Sequence, residues 1–260
     1  MKKYERRVCL ALQKWQMEMC QYRPSLLQQW SLQWQQKIDN LIPKKIHTAM
    51  ANGVRIGISS FLQGLSLIPV GQKKLFGKYA TLEKIDEVYV RTLDKYKTLS
   101  AAEGAGTGAG GLVLSAIDFP ALISIKLKFL QEVAVLYGFD IKNITERVFL
   151  LKVFQLAYAS PEHRRAVYEE VKSWDETSPK KRQTVAQSIS WHDFYLDYKE
   201  HIEFRKMLQI LPGIGAVIGA WANHSLLDEL GETAQSAYRL RYLQRKYGIN
   251  VLESEIGQST

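Results

Sequence analysis

Cysteine is almost missing from this chain. Its 260 residues hold two, Cys9 and Cys20. Two thiols close together near the N-terminus cannot staple a chain of this length, and their spacing fits no zinc pattern, so a disulfide framework and a cysteine zinc site are excluded. A reducing, cytoplasmic setting is the expectation. Alternating apolar and polar runs are missing too, and no Asn-Gly hairpin joins a pair of them, which excludes a sheet protein. The basic start MKKYERR leads into charge and glutamine before any apolar stretch of secretory length, so no signal peptide is read. Long apolar runs are also lacking. Leu208 to Ala222 carries no charge over fifteen residues, but as a helix it would span about 22 Å, short of the roughly 30 Å hydrocarbon core. The run LVLSAIDFPALISIKL is broken by Asp118 and Pro120.

The motifs of familiar chemistry are absent as well. There is no G-x-S-x-G, and neither cysteine sits in a nucleophile motif. The five histidines, His47, His163, His192, His201 and His224, make no H-E-x-x-H or E-x-x-H pair. GQKKLFGK has one residue too many for a phosphate-binding P-loop and no hydroxyl after its lysine. No cofactor is expected.

What remains is helical periodicity nearly everywhere. Leu82, Ile85, Tyr89, Leu93 and Tyr96 fall at three- and four-residue spacing on one face. Pro24 and Pro43 mark helix boundaries, IPVGQ closes a block running to about Leu67, and Asp140 is placed to cap IKNITERVFLLKVFQLAYA. Ser160-Pro161 and Ser178-Pro179 read as helix starts, and Tyr247-Gly248 as the end of the last one. The expected fold is all-α, a bundle of about nine or ten helices with a central pair of glycine-rich, closely packed helices. Residues 1–70 form a basic, Trp-bearing region packed on a helical domain of residues 71–250, and 251–260 a frayed tail.

That central pair rests on two stretches. In AEGAGTGAGG, Gly106, Gly108 and Gly111 formally satisfy G-x-G-x-x-G with Glu132 downstream, but the dinucleotide fingerprint needs a buried strand before the glycines and an amphipathic helix stands there instead. Ser100 and Glu103 form S-x-x-E, so the spacing predicts a capping box and a new helix start. Gly104 and Gly108, and Gly106 and Gly110, are small pairs four apart. Gly215 and Gly219 repeat the pattern in the second stretch, followed by Asn223. Such pairs let two backbones approach closely. The same glycines could instead line a cavity for an acyl chain or other apolar ligand.

Charge is localised. Residues 1–50 hold nine Lys or Arg against three Asp or Glu, and three of the six tryptophans. Lys2, Lys3, Arg6, Arg7 and Lys14, interleaved with Trp15, Trp30 and Trp34, suit an anionic membrane surface. Near the other end, YRLRYLQRKYG sets Arg239, Arg241 and Arg245 among tyrosines, a pattern for phosphate or lipid headgroups. No recognisable nucleic-acid module accompanies it, so nucleic acid is not expected. Asp193, Asp197 and His201 recur every four residues and share a helix face, the one weak candidate for a divalent metal.

EGAGTGAGG, then DFPALISIKLKFLQEVAVLYGFD, and then LPGIGAVIGAWANHSLLDELGETAQSAYRLRYL resemble the EcsC family over roughly residues 80–245. Glu103 with the glycines, Asp118-Phe119-Pro120, Tyr137-Gly138-Phe139-Asp140 and Gly219 to Asn223 carry the likeness. The resemblance implies helical, cytoplasmic or membrane-associated bacterial proteins linked to an ABC transporter by gene neighbourhood, with no established activity. Glu103 and Asp118 border the glycine groove and belong to the resemblance, which makes them the candidates for acid–base chemistry. Three functional expectations follow. The first is a non-enzymatic protein, peripheral on the inner face of the plasma membrane, that acts with a transporter or its lipids. The others are an enzyme using Glu103 and Asp118, and an apolar-ligand binder.

Overall fold

Leu82, Ile85, Tyr89 and Tyr96 are all buried, and Leu93 is half-buried between them, so the apolar stripe read from the sequence is the inner face of a long helix. The computed structural model describes residues 1–20, 44–65, 80–109, 119–188 and 215–254. Among the described residues there are nine helices and no strand. They are α1 (Lys3–Cys20), α2 (Lys44–Leu62), α3 (Leu82–Ala109), α4 (Phe119–Leu136), α5 (Ile144–Tyr158), α6 (Pro161–Lys172), α7 (Pro179–Ser188), α8 (Gly215–Tyr247) and α9 (Val251–Ser254). Trp30, Trp34, Gly110, Asp118, Asp193, Asp197 and His201 lie outside the described residues.

The axis of the bundle is the antiparallel pair α3 and α8, the most extensive helix contact among the described residues. Its direction follows from three contacts: Arg239 meets Asp86, Tyr89 and Leu93 close on Gly231, and Lys97 meets Asp228. Helix α4 is antiparallel to α3 in turn, with Tyr137 on Asp86, Phe129 against Tyr96 and Glu132 near Lys95. The C-terminal end of α3 therefore shares one end of the bundle with the N-terminal ends of α4 and α8. Gly104, Gly106 and Gly108 of α3 lie at that end, as do Gly215 and Gly219 of α8.

Gly231, beyond the Gly215 and Gly219 pair, is closely approached by α3. A methyl group added at Gly231 would stand 2.7 Å from Leu93 Cδ1 and 2.9 Å from the Tyr89 hydroxyl, so a side chain of α3 fills the space of the missing Cβ. Helix α5 is buried almost all round, from Val148 through Tyr158, as an apolar helix without a polar face must be. Its Tyr158 hydroxyl donates to the Leu226 carbonyl of α8 at 2.6 Å. Arg147, at its start, donates to the Leu62 carbonyl at the end of α2 and to the carbonyls of Ile141 and Lys142. A guanidinium thus satisfies the carbonyls that a helix end leaves open.

Several boundaries differ from the sequence expectation. The chain does not restart at Ser100. Helix α3 runs unbroken to Ala109, and Ser100 is fully buried in mid-helix, so the Ser100–Glu103 capping box is not formed. Nothing between Leu82 and Glu103 breaks a helix, and packing along α8 carries α3 past the serine. Asp140 is not the cap of α5: its carboxylate accepts the Lys142 N–H in a local turn, and Asn143 caps the helix through the Thr145 N–H at 2.9 Å. Helix α2 ends at Leu62, because the chain turns at Gly64. The tail is not frayed from residue 251. Val251 and Leu252 are buried in α9, and the Leu252 carbonyl accepts from Gln13 of α1.

Candidate functional site

The segment Tyr238 to Tyr247, proposed from sequence as a phosphate or headgroup surface, turns inward. Helix α8 buries Tyr238 and Arg241 on one face, and three groups of carboxylates meet its cations. Arg241 is 1 % exposed. Its guanidinium donates to both oxygens of Glu146, at 2.8 and 3.0 Å, and to both oxygens of Asp175, at 2.7 and 3.1 Å. It lies between the rings of Phe139 and Phe149, 4.0 Å from each centroid. Tyr238 donates to the same Glu146. Burial pushes the Asp175 carboxyl up, but the Arg241 hydrogen bond and the charges of Arg241, Arg245 and Arg182 outweigh it and hold it below its ordinary value.

Arg239 belongs to a second group. Asp86, buried on α3, accepts from Tyr4 of α1 at 2.7 Å, Tyr137 at 2.5 Å, Arg239 at 3.1 Å and Gln235 at 3.4 Å. Burial, the hydrogen bond to Asp86 and its charge push the Tyr4 hydroxyl up to about 12. The third group is Glu5 of α1, 2 % exposed, which accepts from Lys246 and Tyr247, each at 2.6 Å, and from its own Lys2 N–H. The last of these is half of a capping box, a third-position glutamate reaching back to the helix start. Arg239 and Arg241 are therefore internal ligands of carboxylates, not headgroup contacts. Arg245 is half-exposed, yet it too points to Asp175, at 3.3 Å, and covers Phe139.

The Tyr137-Gly138-Phe139-Asp140 motif acquires a physical meaning here. Gly138 adopts φ +84°, the left-handed conformation that a side chain resists, and closes α4 with the Phe139 N–H on the Ala134 carbonyl. That turn sends Tyr137 to Asp86 and Phe139 beneath Arg241 and Arg245.

The N-terminal helix divides by face. Val8, Cys9, Leu12 and Trp15 enter the core, and Trp15 meets Tyr168 edge-on with centroids 5.3 Å apart. Trp15 is thus a core residue, a correction to its expected place on a membrane; a helix with one apolar stripe gives its largest ring to the bundle. Lys2, Lys3, Arg6, Arg7 and Lys14 are exposed, together with Leu10 and Met17, which keep 58 % and 53 % of their surface. The only exposed carboxylate of α1 is Glu18, 3.6 Å from Lys14.

Glu103 is half-buried on α3, and the antiparallel register of α3 and α4 brings it level with the first turns of α4. Among the described residues no group of three or more His, Cys, Asp or Glu could hold a metal ion. Among the described residues two clefts, of about 240 and 250 Å³, have mixed linings, one with Glu18, Glu229 and Glu232 beside Arg164, the other with Glu169, Glu176 and Glu253 beside Lys172. Neither is the apolar chamber that an acyl chain requires. No helix among the described residues is long and apolar enough to cross a membrane.

Fold and site together define, among the described residues, an all-α bundle locked by buried arginine–carboxylate groups, with a basic face of α1 turned outward. The chain belongs to the EcsC protein family, whose family model matches residues 6–243, beginning inside α1. It is 38 % identical over 235 residues to Protein EcsC of Bacillus subtilis (strain 168), covering 90 % of this chain and 94 % of that one. It is 32 % identical over 222 residues to the uncharacterized protein YdbA of the same organism, covering 79 % and 81 %. No solved structure matches the chain.

Proposed function

We propose that this protein is a non-catalytic, peripheral membrane-associated helical protein that acts with an ABC transporter or its lipid surroundings. One observation carries the reading: the exposed side of α1, with Lys2 just before it, holds five cations, Lys2, Lys3, Arg6, Arg7 and Lys14, against the single exposed carboxylate Glu18. Each cation near an anionic surface is worth about 1 kcal/mol, so five suffice for measurable, reversible binding. The gene neighbourhood that the family resemblance implies supports the transporter as the partner. The test is co-flotation of the purified chain with vesicles of phosphatidylcholine alone and with phosphatidylglycerol added, at low and high salt. Flotation with the anionic vesicles only, weakened by salt, is expected, and reversing Lys3, Arg7 and Lys14 to Glu should abolish it. Absence of flotation at every salt concentration would sink the reading. Deleting the N-terminus is the wrong experiment, because Val8, Cys9, Leu12 and Trp15 belong to the core.

A further inference from the structure

We infer that α1 meets the bilayer while still docked on the bundle, as a rigid ridge in which Leu10 and Met17 enter the headgroup region and the cations flank them. The inference rests on the membrane reading above and names the mode of contact and the lipid class. Lys3, Arg7, Leu10, Lys14 and Met17 alternate at spacings of four and three, so they form one ridge along the outer side of the helix. Leu10 and Met17 stand seven residues apart, about 10.5 Å along the axis. Two isolated apolar side chains on a convex, cationic ridge suit a planar anionic bilayer. A protein partner would call for a continuous apolar patch, or for a groove to receive it. Lysine and arginine stems can lie along the acyl boundary with their charges among the phosphates.

The alternative is that α1 leaves the bundle and inserts its other face, where Val8, Leu12 and Trp15 lie. That face is unfit for an anionic membrane because Glu5 stands in the same stripe, three residues before Val8 and seven before Leu12. Inside the bundle Lys246 and Tyr247 neutralise this carboxylate. On an undocked helix it would sit as a bare negative charge between lipid phosphates. Undocking would also strip Asp86 of the Tyr4 hydroxyl and the Leu252 carbonyl of Gln13. The lipid class follows from the flanking charges: anionic headgroups, at phosphate depth.

The deciding experiment compares the wild-type chain with Leu10→Glu/Met17→Glu on phosphatidylglycerol-containing vesicles. A second measurement reads quenching of Trp15 by brominated acyl chains, taken as the difference between wild type and Trp15→Phe. The expected result is a loss of partitioning of roughly tenfold or more in the double variant, with an unchanged thermal midpoint, because both side chains are exposed. No quenching of Trp15 is expected. Unchanged partitioning of the double variant, or strong quenching of Trp15, would overturn docked contact while leaving membrane association standing. If the wild-type chain does not float at all, the membrane reading itself fails, and an acidic protein surface becomes the occupant of the ridge.

Discussion

Arg241 shows how one residue can decide the character of a region. Buried, bonded to two carboxylates and held between two aromatic rings, it turns a basic, tyrosine-rich segment from a surface into a clasp. Arg241→Met should lower stability by about 3–5 kcal/mol in urea unfolding, since Glu146 and Asp175 would stay behind without their cation. Arg241→Lys should recover only part of this, because an ammonium cannot make the paired bonds of a guanidinium. Arg245→Ala, at a half-exposed position, should cost at most about 1 kcal/mol. Gly231 is the second decisive residue. Alanine there gains about 1 kcal/mol of helix propensity but meets Leu93 and the Tyr89 hydroxyl inside van der Waals contact. Overpacking of this kind costs about 1–3 kcal/mol, so Gly231→Ala should be net destabilising by about 1 kcal/mol, read from the same unfolding curves. A neutral or stabilising alanine would mean that the ends of the Leu93 and Tyr89 side chains give way without loss.

At the scale of elements, α1 has two unlike faces. Its inner face closes the bundle through Trp15 against Tyr168, Tyr4 on Asp86 and Glu5 on Lys246 and Tyr247. Its outer face carries cations with no structural task visible among the described residues for Lys3 or Lys14 beyond the exposed Lys14–Glu18 pair. Trp15→Ala should therefore cost about 3–5 kcal/mol of stability, as large-to-small core changes do. Lys14→Ala should leave the unfolding midpoint within error and weaken vesicle binding. A protein in which Trp15→Ala is neutral would have α1 detached in solution. The helix boundaries teach a related lesson. Pro161 at the first turn begins α6, although the Ser160 side chain makes no cap bond, and Ser178, whose Oγ accepts the Lys181 N–H, begins α7 with Pro179, because such signals act locally. Ser100 fails the same local rule because a long neighbour, α8, rewards continuation of α3.

For the whole molecule, the charged groups set the pH range of stability. Burial raises the Glu5 carboxyl, and the bonds from Lys246, Tyr247 and the Lys2 N–H outweigh it, so its net position is below the ordinary value; Asp175 behaves likewise through Arg241. A depressed carboxyl contributes stability that is complete above its unfolded value, near 4, and is lost as the pH falls through the folded one. Tyr4 acts in the opposite sense. Raised to about 12, it contributes stability that is complete below its unfolded value near 10 and lost as the pH rises through about 12. Thermal midpoints should thus be flat between about pH 5 and 9 and fall on both sides. Tyr4→Phe should remove one late step from the tyrosine absorbance titration. A midpoint that falls steeply within that range would point to a titrating group other than these.

Local chemistry was legible in the sequence. The all-α class, the inward stripe of α3 and the proline-marked helix starts followed from spacing and residue type, because helical periodicity and helix-start signals act within a few residues; the family followed from the resemblance of three motif stretches. The basic face of α1 was legible for the same reason, as composition of one short segment. Only the tertiary structure decided which charges are free. Arg239, Arg241 and Lys246 meet Asp86, Glu146 with Asp175, and Glu5, partners 66 to 241 residues away in the chain. No spacing rule pairs groups so distant, and a cation looks alike in sequence whether it faces water or a buried carboxylate. Trp15 was misplaced for the same reason, since an aromatic on an amphipathic helix suits lipid and protein core equally until its neighbour Tyr168 is known.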